Sequence, residues 1–392
     1  MGIWADVGSR NETPEINGLS HFIEHMVFKG TRTRSALEIA TALESLGGSL
    51  NAFTSRENTC FYARVLDQHV PVATEILCDL LANSTFEEKH LRMERKVIVE
   101  EIKDSLDTPS DYVHDLHARA MWRKHPLGYP ILGSATRIRR TKRETLLSFY
   151  RKNYVTSNMV VAASGNVNHA RLVRQISEQL RLRKSRRKNP PKLKKPVNYR
   201  ARKVYGRDIM QAHIVLGWEI VPYKNYDRYP LLMLNNILGG GMSSRFFQAI
   251  REKMGLAYTI YSYQDYYKDS GIFGTYVGCD SKNVAPSVNL LLHEVDKIKQ
   301  NGIDDAEFTA TRVQLTGNLM LGLESSTNRM NRLARNELYM GRFFGLNETL
   351  KNLEKVQRED LTRVARRYLN PENLTMVVLG PLDKTVLGKI EL

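Results

Sequence analysis

Apolar residues along the chain follow two periods. Residues 59–65, Thr-Cys-Phe-Tyr-Ala-Arg-Val, alternate as a strand with one solvated face does. Strand signals also cover 3–7 and 49–54, and later 213–218, 257–263 and 272–278. Helical spacing appears in residues 19–28, where Leu19, Phe22, Ile23 and Met26 fall on one face.

Two stretches recur. Residues 146–167 predict an amphipathic helix, a short turn and an apolar strand ending at Gly165. Residues 361–382 repeat that order, with Tyr154 matching Tyr368, Asn158 matching Asn373 and Gly165 matching Gly380. Residues 86–102 and 303–319 match more faintly, as helices opened by acidic residues, with Arg95 opposite Arg312. The recurrence predicts an α+β protein of two homologous domains from an internal duplication. Each would hold a mainly antiparallel sheet with packed helices. The expected boundaries are 1–180, a linker at 181–207, and 208–392.

The linker is marked by charge. From Arg181 to Arg207 no acidic residue occurs, and Pro190, Pro191 and Pro196 interrupt the run, as in a solvated connector. Much of the net charge of +16 has its visible source there. Tyr199 and Tyr205, its only aromatics, make a poor stacking platform, so no nucleic-acid partner is expected. No apolar run approaches the roughly 20 residues that cross a bilayer, and no membrane partner is expected. The start lacks the regions of a secretory signal, and Cys60, Cys78 and Cys279 form no CxxC pair. A reducing, cytoplasmic location is the expectation.

The first half alone carries a cluster of potential metal ligands. His21 and His25, four apart on the predicted helix, share a face with Cβ atoms about 5–6 Å apart. Two imidazoles so placed can reach one zinc ion, and Glu24 between them can reach a water without being a ligand. A third ligand is expected from the helix through Glu94, Glu100 and Glu101. Glu94 and Glu101 are two turns apart on one face, and spacing leaves the choice between Glu100 and Glu101 open. His114 and His117 form a rival pair with no evident third ligand and read as ordinary helix histidines.

The runs GLSHFIEHMVFKGT, LNAFTSRENT and ERKVIVEE, with GGGMSSR and REKMGLAY in the second half, resemble the pitrilysin family of zinc peptidases, peptidase family M16. The likeness is closest to its short two-domain bacterial members and the processing-peptidase β subunit. It implies one zinc ion per chain held by His21, His25 and Glu101, with Glu24 as general base and Glu94 as an assisting carboxylate. It implies that Tyr258 donates to the oxyanion and Arg251 helps hold substrate, both from the second domain. The segment containing Asn51, Ala52 and Phe53 would be an edge to which substrate adds as a strand.

The implied function is zinc-dependent endopeptidase action on unfolded peptides or presequence-like segments, inside a cavity enclosed by the two domains. A homodimer, or pairing with an inactive relative, is the implied assembly. The alternative is a non-catalytic interaction subunit of the same fold. Family members usually carry a further strand before the segment matching Gly2, so a truncated N-terminus is also an expectation.

Overall fold

The computed structural model describes residues 1–183 and 194–391, so the middle of the expected linker, 184–193, lies outside the described residues. Four strands, β1 (Gly2–Ala5), β2 (Ser49–Thr54), β3 (Thr59–Arg64) and β4 (Met159–Ala162), form one antiparallel sheet in the order β2-β3-β1-β4. Five more form a second: β5 (Ala201–Gly206), β6 (Ala212–Ile220), β7 (Ala257–Tyr266), β8 (Gly271–Cys279) and β9 (Thr375–Gly380), in the order β5-β9-β6-β8-β7. Read from its far edge, the second sheet runs β7-β8-β6-β9, the same topology as the first. β5 is the addition, paired in parallel with β9. It lies inside the stretch expected to be linker.

The duplication extends to single side chains. Helices α1 (Leu19–Val27), α2 (Glu88–Leu106), α3 (Pro109–Trp122) and α4 (Arg143–Asn153) belong to the first half of the chain. Helices α5 (Asp305–Gly322), α6 (Ser326–Met340) and α7 (Arg358–Tyr368) belong to the second. Arg95 on α2 donates to the carbonyl of Thr141, just before α4. Arg312 on α5 donates to the carbonyl of Val356, just before α7, at 2.8 Å. Each arginine ties the equivalent helix to the equivalent loop. The repeats differ at their ends, since β4 stops at Ala162, before Gly165, whereas β9 runs to Gly380.

Two compact units result, and they do not follow the chain as two blocks. One comprises Met1–Asp104, Tyr129–Leu193 and Gly322–Phe343; the other comprises Ser105–Gly128, Lys194–Leu321 and Phe344–Leu392. The expected boundaries 1–180 and 208–392 contain no such exchange.

Helix α3 therefore packs on the second sheet. Val113, Leu116 and Ala120 are buried with Val215, Tyr276, Val377 and Leu379. Gly217 permits the close approach, because a Cβ there would come within 2.3 Å of the His117 ring. Helix α6 packs on the first sheet, where Met330 and Ala334 meet Trp4, Cys60 and Ala162. In each unit the apolar helix face needs a sheet face to bury it, and the duplicated chain satisfies both by trading one helix.

Candidate metal centre

Helix α1 buries Leu19, Phe22, Ile23, Met26 and Val27 in the core of the first unit, which fixes its rotation. Its start is anchored by Glu12. Glu12 Oε2 accepts from the Gly18 amide at 2.7 Å and from Asn17 Nδ2 at 2.9 Å, and Oε1 accepts from the Ser20 amide at 2.6 Å. Gly18 has φ +102°, and a Cβ there would stand 2.8 Å from the Leu132 carbonyl oxygen. Burial outweighs these hydrogen bonds and lifts the Glu12 carboxyl to about 7.

The anchored helix turns His21 and His25 to one side, with their Nε2 atoms 3.3 Å apart. Glu101 on α2 completes the group, its oxygens 3.5 Å from His21 Nε2 and 3.4 Å from His25 Nε2. Four atoms about 2.0–2.1 Å from a tetrahedral zinc stand roughly 3.3–3.4 Å from one another. The two histidine nitrogens have that spacing, each has one Glu101 oxygen at about the same distance, and the set fits the ion. Among the described residues, this is the one group of three His, Cys, Asp or Glu ligand atoms gathered within 4.8 Å. Glu101 is 43% exposed while His21 is 8% exposed, so the group is reached from solvent on the Glu101 side.

The choice left open by spacing falls on Glu101, since Glu100 faces solvent and pairs with Lys103 at 2.8 Å. Glu94 serves a different purpose from Glu101. Its Oε2 lies 3.1 Å from His25 Nδ1, and its Oε1 meets Lys29 Nζ at 2.9 Å. Such a carboxylate behind a histidine fixes the ring and its tautomer.

Burial disfavours a charged His25, yet hydrogen bonds with Glu101 and Glu94 outweigh it and raise the ring to about 9. Hydrogen bonds from His21 and His25 hold Glu101 far below the usual carboxylate range. The pocket thus favours positive charge at the point the three donors face.

Glu24 lies on the same helix, and Thr54 Oγ1 donates to its Oε2 at 2.5 Å. Thr54 ends β2, the edge of its sheet, whose exposed residues Asn51 and Phe53 alternate with the half-buried Leu50, Ala52 and Thr54. The Ala52 amide donates to Asn51 Oδ1 at 2.7 Å, so it points to the free edge.

Arg251 and Tyr258 belong to the second unit. Arg251 sits in a π-helical turn, Phe247–Lys253, with its guanidinium 4.7 Å from the centre of the Phe247 ring. Tyr258, 66% exposed, falls where the pairing of β7 with β8 slips between Ala257 and Thr259. It is the extra residue of a β-bulge, a device that re-aims a side chain. A cavity of about 450 Å³ beside it is lined by Met210, His213 and Asp280 among others.

The rival histidines are engaged elsewhere in the second unit. His117 reaches the Thr375 carbonyl, and His114 reaches the hydroxyls of Tyr261 and Tyr263. Sequence reasoning missed Glu12, Lys29 and the side chain of Thr54. Lys29 alone left a signal, four residues beyond His25.

Residues 1–135 match the model of the insulinase family, peptidase family M16, and residues 140–315 match that of the peptidase M16 inactive domain. The metal donors all lie in the first match. The chain is 40% identical to an uncharacterized zinc protease of Streptomyces coelicolor, over 97% of this chain and 84% of that one. It is 38% identical to the uncharacterized zinc protease YmxG of Bacillus subtilis, over 97% and 92%. A protease from Helicobacter pylori shares the fold at a TM-score of 0.90, with 23% identity over 97% of this chain and 93% of that one. The two-sheet α+β architecture, the zinc-spaced donors and these full-length relatives agree: the chain belongs to peptidase family M16, a family of zinc proteases.

Proposed function

We propose that the chain is an endopeptidase for unfolded peptides, with its chemistry on α1, α2 and the edge strand β2. The observation that carries this reading is the convergence of His21, His25 and Glu101 at zinc-ligand spacing, with Glu24 on the helix that carries both histidines. His21, His25 and Glu101 would hold the zinc, and Glu94 would fix His25. Zinc bound there supplies a Lewis acid that polarises the scissile carbonyl and lowers the pKa of the attacking water.

The substrate pairs with β2. Backbone hydrogen bonds from Ala52 and its like-facing neighbours hold it as a further strand, which demands an extended chain and tolerates varied side chains. A peptide already folded in its own secondary structure has no free backbone to offer. Glu24 accepts the proton of the attacking water and returns it to the leaving amine, a service worth roughly 10²–10⁴-fold. Tyr258 donates to the developing oxyanion of the substrate and Arg251 binds substrate; the family pattern supports both roles, and the bulge adds support for that of Tyr258. A second copy, or an inactive relative, is the proposed partner.

The test compares an unstructured peptide with a folded protein containing the same sequence, both incubated with the zinc-loaded chain. Internal cleavage of the peptide alone, lost on chelation and restored by zinc, is the expected result. Removal of terminal residues only, or no zinc-dependent cleavage, contradicts it.

A further inference from the structure

We infer that Thr54 is the positioning residue for Glu24, and that it sets the base in register with the peptide bound along β2. The inference rests on the reading of Glu24 as general base and adds a residue to it.

Counting hydrogens fixes the direction of the contact. Thr59 Oγ1 donates its only proton to the Val7 carbonyl at 2.9 Å, so it has none for Thr54. Thr54 Oγ1 lies 3.5 Å from Thr59 Oγ1 and 2.5 Å from Glu24 Oε2. Thr54 is thus the donor in both contacts, and the shorter one, at 2.5 Å to a carboxylate that can only accept, takes its proton. A threonine is stiff at χ1, so its hydroxyl is aimed by the backbone that carries it. Here that backbone is the last residue of the edge strand.

The backbone of Thr54 has a second task. Along an antiparallel pair, residues alternate between bonding the partner strand and facing away from it. Ser55 bonds the Asn58 carbonyl through its amide at 2.8 Å, which places the odd-numbered residues of this stretch on the β3 side. The Ala52 amide, held at 2.7 Å by Asn51 Oδ1, faces the open edge. Thr54, two residues on, presents its own backbone to that edge. A peptide that adds to β2 is thus gripped by the same residue whose side chain aims the base. Placing reacting groups in register is a large part of what an enzyme supplies, and small misplacements are costly.

Five proteins test this: wild type, Thr54→Val, Thr54→Ser, Glu24→Gln and the double variant of Thr54→Val with Glu24→Gln, each assayed for kcat, KM and bound zinc on one unstructured peptide. Thr54→Val keeps the shape and loses the hydroxyl; the lost hydrogen bond to a charged group should lower kcat roughly 10–100-fold. KM and zinc content should stay at wild-type values, and Thr54→Ser should recover most of the rate. Thr54→Val added to Glu24→Gln should cost nothing further, because the hydroxyl acts only through the carboxylate.

An unchanged kcat in Thr54→Val beside an inactive Glu24→Gln overturns the role of Thr54 alone. So does an equal loss in the Val and Ser variants, or a loss confined to KM. Full activity in Glu24→Gln overturns the assignment of the base, and this inference with it. Should Thr54→Val fail to fold, the Ser variant decides: a rate far below wild type at normal zinc content contradicts the inference.

Discussion

His25 is held between two carboxylates: Glu101 lies 3.4 Å from its Nε2 and Glu94 lies 3.1 Å from its Nδ1. The first faces the metal position and the second stands behind the ring. Against the effect of burial, the hydrogen bond with His25 and that from Lys29, 2.9 Å from the other oxygen, hold the Glu94 carboxyl below its usual range. Glu94→Gln should weaken zinc binding about 10–100-fold without removing a ligand. Lys29→Met should weaken it less. Competition against a chromophoric chelator measures both, and wild-type affinity in Glu94→Gln would remove Glu94 from the support of the site.

The Glu12 carboxyl that anchors α1 gives the first unit a pH dependence of predictable sign. Burial raises it to about 7 in the folded chain from an ordinary value of 4.5. Below 4.5 the group is protonated whether the chain is folded or not, and its contribution to stability is fully present. As pH rises toward 7 the unfolded chain releases the proton first, so stability falls, and the loss is complete above 7. At 1.36 kcal/mol per unit this amounts to roughly 3 kcal/mol. Denaturant titrations between pH 4.5 and 8 should show the fall in wild type and a smaller one in Glu12→Gln. Parallel curves for the two proteins would contradict the burial argument.

Strand addition to β2 predicts a two-residue rhythm in the substrate. N-methylation of a peptide amide that pairs with the edge should abolish a main-chain hydrogen bond and raise KM. Methylation of its neighbours, whose amides face away, should have little effect. A methyl scan along one cleaved peptide reads this directly, and a scan without alternation speaks against an added strand.

Tyr258, placed on the bulge of β7, is the proposed donor to the oxyanion. Tyr258→Phe should lower kcat about 10²–10³-fold, as loss of one such donor does elsewhere. Zinc content should not change, because the residue belongs to a different unit from the metal donors. An unchanged rate at unchanged zinc would take Tyr258 out of the mechanism.

The sequence made the metal centre legible because its strongest constraint is local. Two histidines four apart must share a helix face, whatever surrounds that helix. The choice between Glu100 and Glu101 was not local, since it depends on how α2 is rotated against α1. Glu12 and Thr54 were silent for the same reason: each acts on α1 from another element, and neither spacing nor composition records such a contact.

The duplication was legible in Tyr154 and Tyr368, each at the end of the repeated helix, and in Arg95 and Arg312, whose contacts recur with the repeat. The exchange of α3 and α6 was not. An amphipathic helix shows that it needs a partner sheet without showing which copy supplies it. Strand β5 was hidden by its charges: Arg202 and Lys203 made an edge strand look like linker, and edge strands commonly carry such residues.

The most direct test of the whole account is the paired measurement of zinc content and peptide cleavage in wild type and Glu24→Gln. Glu24 shares α1 with His21 and His25 but lies outside the three donors, so the account predicts one zinc per chain in both proteins. It predicts cleavage in wild type and a rate at least about 10²-fold lower in the variant. Equal cleavage by both proteins at equal zinc would contradict it.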